Sequence, residues 1–130
     1  MTDLQVPLSP GELLDKITIL RIKSRRIRDA AKLANVRLEL ELLEEMWATL
    51  GAATRTVAAD EQALLAVNEQ LWDIEDAIRD KEAARSFDQT FIELARAVYH
   101  RNDERAAIKK RINVALGSRI VEEKSYQPYR

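Results

Sequence analysis

The spacing of apolar residues along the chain is typical of long α-helices. From position 13 to position 116 they recur at steps of three and four, which is the period of one helix face. The clearest series is Leu33, Val36, Leu40, Leu43, Trp47 and Leu50. A second series with the same spacing is Leu64, Val67, Leu71, Ile74 and Ile78. No segment has the alternating period of a strand, so the pattern predicts helices at about 10–28, 30–50, 60–84 and 88–116.

Capping signals mark the predicted helix ends. In "LSPGEL", Ser9 is a natural N-cap, Pro10 occupies the first helical position, and Glu12 is spaced to complete a capping box. Further caps and terminal glycines are Asp29, Gly51, Ser86 or Asp88, and Gly117. The only plausible long loop is "GAATRTVAAD", whose alanine content allows it to be partly helical. Short connections favour an all-α antiparallel bundle of about four long helices, in a single domain over residues 1–130 with a short C-terminal tail.

Composition narrows the possible chemistry. The chain is 46% hydrophobic and 33% charged, which is ordinary for a folded helical protein. Because it has no cysteine and a single histidine, His100, we expect neither a metal site nor a bound cofactor. A net charge of −1 argues against bulk electrostatic binding of nucleic acid. We find no apolar run long enough for a membrane span and no signal sequence in "MTDLQVPLSP", so we expect a cytoplasmic protein.

Polar side chains interrupt the apolar faces of the third and fourth predicted helices. In "VYHRNDERAAIKKRIN", at positions 98–113, Asn102, Arg105 and Lys109 lie on or beside the apolar arc. On the third helix Asn68 and Glu75 lie within the arc, and Arg79 lies at its edge. In an antiparallel pair that turns near residue 86, these two groups face each other. The candidate site is therefore Asn68, Glu75, Arg79, Asn102, Arg105 and Lys109.

Apart from the possibility that these side chains simply face water, two interpretations of this cluster remain open at the level of sequence. In the first, it is a structural network in which Glu75 pairs with Arg105 or Arg79 and Asn68 pairs with Asn102. Replacing Glu75 by alanine would then cost about 3–5 kcal/mol, the cost of breaking a buried ion pair. In the second, the basic side chains Arg79, Arg105 and Lys109 hold a small anion, and Glu75 orients it or acts as an acid–base group.

Additional apolar stripes predict association with another chain. Ile19 with Ile22, and Leu42 with Met46, lie away from the main apolar faces of their helices. Because large exposed apolar patches usually mark interaction sites, we expect a homodimer or a protein partner.

Several motifs together resemble a family of short, helical, uncharacterised bacterial proteins, classed as a domain of unknown function. The likeness runs from Val6 to Tyr126 and is carried by "VPLSPGELLDKITIL", "FIELARAVYHRNDERAAIKKRIN" and "VEEKSY". The resemblance implies an all-helical fold, a bacterial or phage origin, and an association with glycosyltransferase and surface-polysaccharide genes. It brings no catalytic residue with it.

The function that we predict from the sequence is a non-catalytic helical interaction or assembly module. Its link to bacterial surface-polysaccharide biosynthesis rests on the resemblance. The alternative is an enzyme or sensor that binds a small anion through the Arg, Lys and Glu side chains of the candidate site. Those residue types are similar to the ones that small helical chorismate mutases use inside their bundles.

Overall fold

The computed structural model describes residues 2–129, and most of these residues form α-helices. The elements are α1 (Pro10–Arg26), α2 (Ala30–Ala48), a 3-10 helix (Gly51–Val57), α3 (Ala58–Ala83) and α4 (Gln89–Ala115). No strand occurs among the described residues, which confirms the prediction of an all-α bundle with four long helices. Each helix begins and ends within two residues of its predicted limit.

The predicted N-caps form where the sequence places them. Ser9 accepts a hydrogen bond from the Glu12 N–H at 3.2 Å, and Pro10 is the first residue of α1. Of the two candidates before α4, Asp88 is the cap, because its carboxylate accepts from the Phe91 N–H at 2.9 Å. The capping box at α1 is only half formed, since the Glu12 carboxylate binds Lys109 on α4 instead.

The stretch predicted as the one long loop is largely helical. Gly51, at a φ of +63°, turns the chain after α2, and the 3-10 helix then leads directly into α3 at Ala58. A left-handed φ of this kind is readily adopted by glycine and rarely by other residues. Val57, the last residue of the 3-10 helix, is buried in the core, so this connection is packed against the bundle.

Helix α1 lies at the centre of the arrangement. It packs against α2, α3 and α4, and α3 and α4 pack against each other along their length. Residues early in α1 meet residues late in α4, whereas the C-terminal end of α1 approaches Asp73 on α3. The reversed order of the α1–α4 contacts makes these two helices antiparallel. Helix α1 crosses α3, because Asp15 binds Asn68 whereas Arg21, further along α1, binds Glu61. By contrast, among the helices of residues 2–129 the α2 backbone approaches only α1 and the 3-10 helix.

The hydrophobic core lies on the inner side of α1. Its buried members are Leu13, Leu14, Ile17, Trp47, Val57, Leu64, Val67, Ile108 and Ile112. Helix α2 contributes only Val36 and Trp47 as buried residues. Ile22 is buried within the chain, which corrects its predicted place in a dimer face, while Leu42 and Met46 are exposed. No helix among residues 2–129 has a stretch long and apolar enough to cross a membrane.

Candidate functional site

A buried carboxylate on α1 forms the centre of a polar network between α1, α3 and α4. Asp15 is 1% exposed, and Thr18, one turn further along α1, is fully buried. Their spacing directs both side chains to the side of α1 that faces the other two helices. A carboxylate in this position is costly unless it is paired and hydrogen-bonded, so the partners of Asp15 determine what the site can do.

Arg105 on α4 supplies the counter-charge. Its Nε donates to Asp15 Oδ1 at 2.9 Å and its Nη2 donates to Asp15 Oδ2 at 2.5 Å. This two-pronged arrangement matches the planar guanidinium to the planar carboxylate. The hydrogen bonds that Arg105 donates to Asp15 raise the pKa of Arg105 above its usual value, so Arg105 stays charged. Its third nitrogen, Nη1, makes a longer contact with Asn102 Oδ1 at 3.4 Å.

Asn68 on α3 completes the shell of the carboxylate. Its Nδ2 donates to Asp15 Oδ1 and to Thr18 Oγ1, each at 2.9 Å. The Thr18 hydroxyl donates in turn to the Asp15 carbonyl oxygen at 2.8 Å, which leaves Thr18 Oγ1 free to accept. A carboxylate oxygen only accepts hydrogen bonds, so the amide nitrogen of Asn68, and not its oxygen, must face Asp15.

A second ion pair lies one turn away along α4. Lys109 Nζ is 2.5 Å from Glu12 Oε2 and 3.8 Å from Asp15 Oδ2. Glu122 in the C-terminal tail also lies 3.8 Å from Lys109 Nζ. The C-terminal tail therefore contacts the same cluster of charged side chains that joins α1 to α4.

Gly11 allows α1 to approach α4 very closely. Its N–H donates to the buried side-chain oxygen of Asn113 at 2.7 Å. A Cβ at this position would lie 2.5 Å from the Lys109 carbonyl oxygen and 2.8 Å from Asn113 Oδ1. Since the first of these atoms belongs to the backbone of α4, any larger residue would push the helices apart.

Four of the six predicted site residues belong to the network around Asp15, namely Asn68, Asn102, Arg105 and Lys109. Glu75 and Arg79 lie further along α3, where they form an ion pair at 3.4 Å with side chains that are 47% and 78% exposed. One predicted pairing, Glu75 with Arg79, is therefore present, although it is not buried. The predicted pairs of Glu75 with Arg105 and of Asn68 with Asn102 are wrong. The reason is that α1 lies against both α3 and α4 and carries Asp15 to Arg105 and Asn68.

Sequence reasoning missed the acidic half of the network. Asp15, Thr18 and Glu12 were not among the candidates, although Asp15 is the residue that Arg105 and Asn68 share. The sequence does contain a signal for this network. Thr18 lies four residues after Leu14 and four before Ile22, so it shares a helix face with two residues that are buried. The network is formed by polar residues on the apolar faces of three helices, whereas the sequence prediction considered only the third and fourth.

The chemistry open to the network is limited because its groups are already paired. Arg105, Lys109 and Arg79 each contact a carboxylate. Within residues 2–129 no buried side-chain nitrogen or oxygen lacks a hydrogen-bond partner, and no group of three His, Cys, Asp or Glu residues is arranged to hold a metal ion. The arrangement is typical of a structural network that fixes how the three helices pack.

An open cavity of about 590 Å³, here called the side cavity, borders the network between α1, α3 and α4. Its lining includes Asn68, Leu71, Trp72, Glu75, Asp76 and Asn102. Glu75 and Arg79 lie in its outer wall, and Arg105 closes its inner end beside Asp15.

A comparison with family models places nearly the whole chain in one family. The match covers residues 4–129 and is to a family described as being of unknown function, DUF6165. Neither the curated proteins nor the solved structures include a match to this sequence. The expected resemblance to an uncharacterised domain is confirmed, and the chain belongs to the DUF6165 family.

Proposed function

We propose that this protein is a non-catalytic helical assembly module that forms a homodimer through the outer face of α2. The observation that supports the proposal is a line of exposed apolar side chains. Leu38, Leu42 and Met46 are 59%, 48% and 56% exposed, and they follow one another at intervals of four residues. Residues with this spacing lie on one side of a helix.

Helix α2 is suited to such a contact because only one of its sides is covered. Val36 and Trp47 face the interior, and the backbones of α3 and α4 do not come near α2. The opposite side is therefore open over the 19 residues of the helix, a length of about 28 Å. An amphipathic helix normally has one apolar stripe, whereas α2 has two.

The second stripe is symmetric about Leu42, which favours another copy of the chain as the partner. In an antiparallel pair of α2 helices related by a two-fold axis, Leu42 meets the same residue of the partner copy. Leu38 of each copy then lies opposite Met46 of the other. Two-fold interfaces require a surface that is complementary to itself, and this spacing supplies one. A single pair of helices buries a small area, so we expect a weak, reversible dimer.

The alternative of an anion-binding enzyme or sensor has less support from the geometry. The three basic side chains that were expected to hold the anion, Arg79, Arg105 and Lys109, already contact carboxylates. An incoming anion would have to displace Glu75, Asp15 or Glu12. The pairing therefore favours a structural role for these residues and an assembly role for the protein.

Sedimentation equilibrium across micromolar concentrations tests the proposal. We expect the wild type to dimerise reversibly and Leu42→Lys to stay monomeric with an unchanged free energy of unfolding. The matched control is Val114→Lys, because Val114 is an apolar residue on α4 that is 68% exposed and lies outside the α2 stripe. A wild type that is monomeric throughout, or a Leu42→Lys variant that still dimerises, would overturn the proposal.

The setting that we propose is the bacterial cytoplasm. The absence of cysteine fits a reducing compartment, in which disulfides do not form. A role beside surface-polysaccharide enzymes is part of the proposal only through the resemblance of the sequence motifs. Co-purification from a bacterial host that expresses the tagged chain would show which proteins accompany the dimer.

A further inference from the structure

The side cavity contains a hydrogen-bond acceptor that has no partner among the described residues. Asn68 is only 5% exposed, and its amide nitrogen is committed to Asp15 and Thr18. The same geometry turns its Oδ1 away from both of these groups, and no described residue donates to it. Because every fully buried polar side-chain atom in this part of the chain has a partner, Oδ1 must keep access to the cavity that Asn68 lines.

The charges around the side cavity favour a cation. Its two basic side chains are neutralised, Arg105 by Asp15 and Arg79 by Glu75. Asp76 also lines the cavity and forms no ion pair with a described basic side chain; Arg26, which Asp73 binds, acts on it only at longer range. The cavity and its immediate partners therefore carry one excess negative charge, located at the outer end. An anion would meet this charge, whereas an ammonium group would be attracted to it.

The spacing of the acceptors along α3 sets the length of a ligand. Asn68 and Glu75 are seven residues apart, which corresponds to about 10 Å along the helix axis. Between them Leu71 and Trp72 give the wall an apolar section. The Arg26 guanidinium lies 5.7 Å from the centre of the Trp72 ring and is itself bound by Asp73. A ligand that fits has hydrogen-bond donors at both ends and an apolar chain between them.

We propose that the side cavity binds a linear aliphatic diamine. One ammonium group donates to Asn68 Oδ1, the methylene chain lies along Leu71 and Trp72, and the second ammonium group pairs with Asp76 and Glu75 at the outer end. This site is independent of the α2 face and goes beyond the assembly role. The proposed ligand is a cation, whereas the sequence suggested an anion.

Titration of the wild-type chain with 1,4-diaminobutane, followed by NMR, tests the proposal. We expect the indole N–H of Trp72 and the side-chain amide of Asn68 to shift with saturation. The indole of Trp47 should stay unchanged, because Trp47 lies in the core away from the cavity. Butylamine should bind more weakly than the diamine, and succinate, a dicarboxylate of similar length, should cause no shift.

Two variants of α3 locate the outer ammonium group. Asp76→Asn should lower the affinity for the diamine about fivefold, which is the upper end of what an exposed ion pair contributes. Asp80→Asn, one turn further along and outside the cavity lining, should leave binding unchanged. The proposal is overturned if the diamine shifts neither Asn68 nor Trp72, if succinate binds as well as the diamine, or if both variants weaken binding equally.

Discussion

Asp15 and Arg105 join the first helix of the chain to the last across a sequence separation of 90 residues, through two hydrogen bonds of 2.9 and 2.5 Å. Asn68 binds the same carboxylate from α3, so three helices meet at one side chain. The arrangement is specific, because sliding any of the three helices by one turn would separate the donors from the carboxylate. Polar contacts of this kind can fix the register of packed helices.

Removing the carboxylate of Asp15 should destabilise the fold strongly. Asp15→Ala leaves Arg105 and Asn68 without their shared acceptor, and breaking a buried pair typically costs about 3–5 kcal/mol. Urea unfolding of the variant measures this loss. The control is Glu75→Ala, whose side chain is half exposed, and we expect it to change the free energy of unfolding by less than about 0.5 kcal/mol. Equal losses in the two variants would contradict this assignment.

Replacing Gly11 by alanine should destabilise the protein even though alanine favours helices. Helix propensity alone would stabilise the variant by less than the roughly 1 kcal/mol of a helix interior, because Gly11 lies in the first turn of α1. The new Cβ would instead lie 2.5 Å from the Lys109 carbonyl oxygen, and overpacking of this kind costs about 1–3 kcal/mol. Thermal unfolding of Gly11→Ala gives the sign directly. A melting temperature equal to or above that of the wild type would show that α1 and α4 are not in such close contact.

Added salt should strengthen the proposed dimer. The apolar stripe on α2 is bordered by Glu39, Glu41 and Glu45, which are exposed and form no ion pair with another described residue. Two copies paired through this face bring like charges together, and salt screens their repulsion. Sedimentation of the wild type at low and high ionic strength measures the effect. Weaker association at high salt would instead indicate a basic partner surface on the other copy.

The cap of α4 should lose its stabilising effect in acid. A hydrogen bond from Lys81, then one from the Phe91 N–H, lower the pKa of Asp88 from the usual 3.8 to about 2 in the folded protein. Because the folded-state pKa is the lower one, the contribution of Asp88 is complete above pH about 4 and declines as the pH falls toward 2.

The difference in unfolding free energy between the wild type and Asp88→Asn measures this contribution. It should be largest near neutral pH and shrink as the solution is acidified. A carboxyl titration by NMR supplies an independent check on the same group. A difference that stays constant down to pH 2, or a midpoint at the usual value for aspartate, would exclude the proposed effect.

Most of the fold follows from local rules, and these could be read from the sequence. Ser9, Asp29 and Asp88 cap the helices as predicted, because each needs only the backbone of its own first turn. The turn after α3 shows the limit of such rules. Arg85 adopts a left-handed φ of 52° there, although glycine or asparagine is the usual residue in that conformation.

The partners within the candidate site could not be predicted because they depend on which helices touch. If only α3 and α4 are assumed to pack together, Glu75 is the acidic residue nearest to Arg105. The central position of α1 supplies a different acid, Asp15, and gives Asn68 a different acceptor. The uncovered outer side of α2 has the same cause, since a symmetric bundle would have placed α2 against a second neighbour. Contacts between distant segments are set by packing, which the period of one helix does not encode.

The measurement that tests the account most directly is a double-mutant cycle between Asp15 and Arg105. The free energy of unfolding is determined for the wild type, Asp15→Ala, Arg105→Ala and the double variant. If the two side chains form the buried pair, each single variant is strongly destabilised and the double variant loses much less than the sum, with a coupling of about 1–3 kcal/mol. Additive losses, within about 0.5 kcal/mol, would show that the two residues do not interact and that another contact holds α1 to α4.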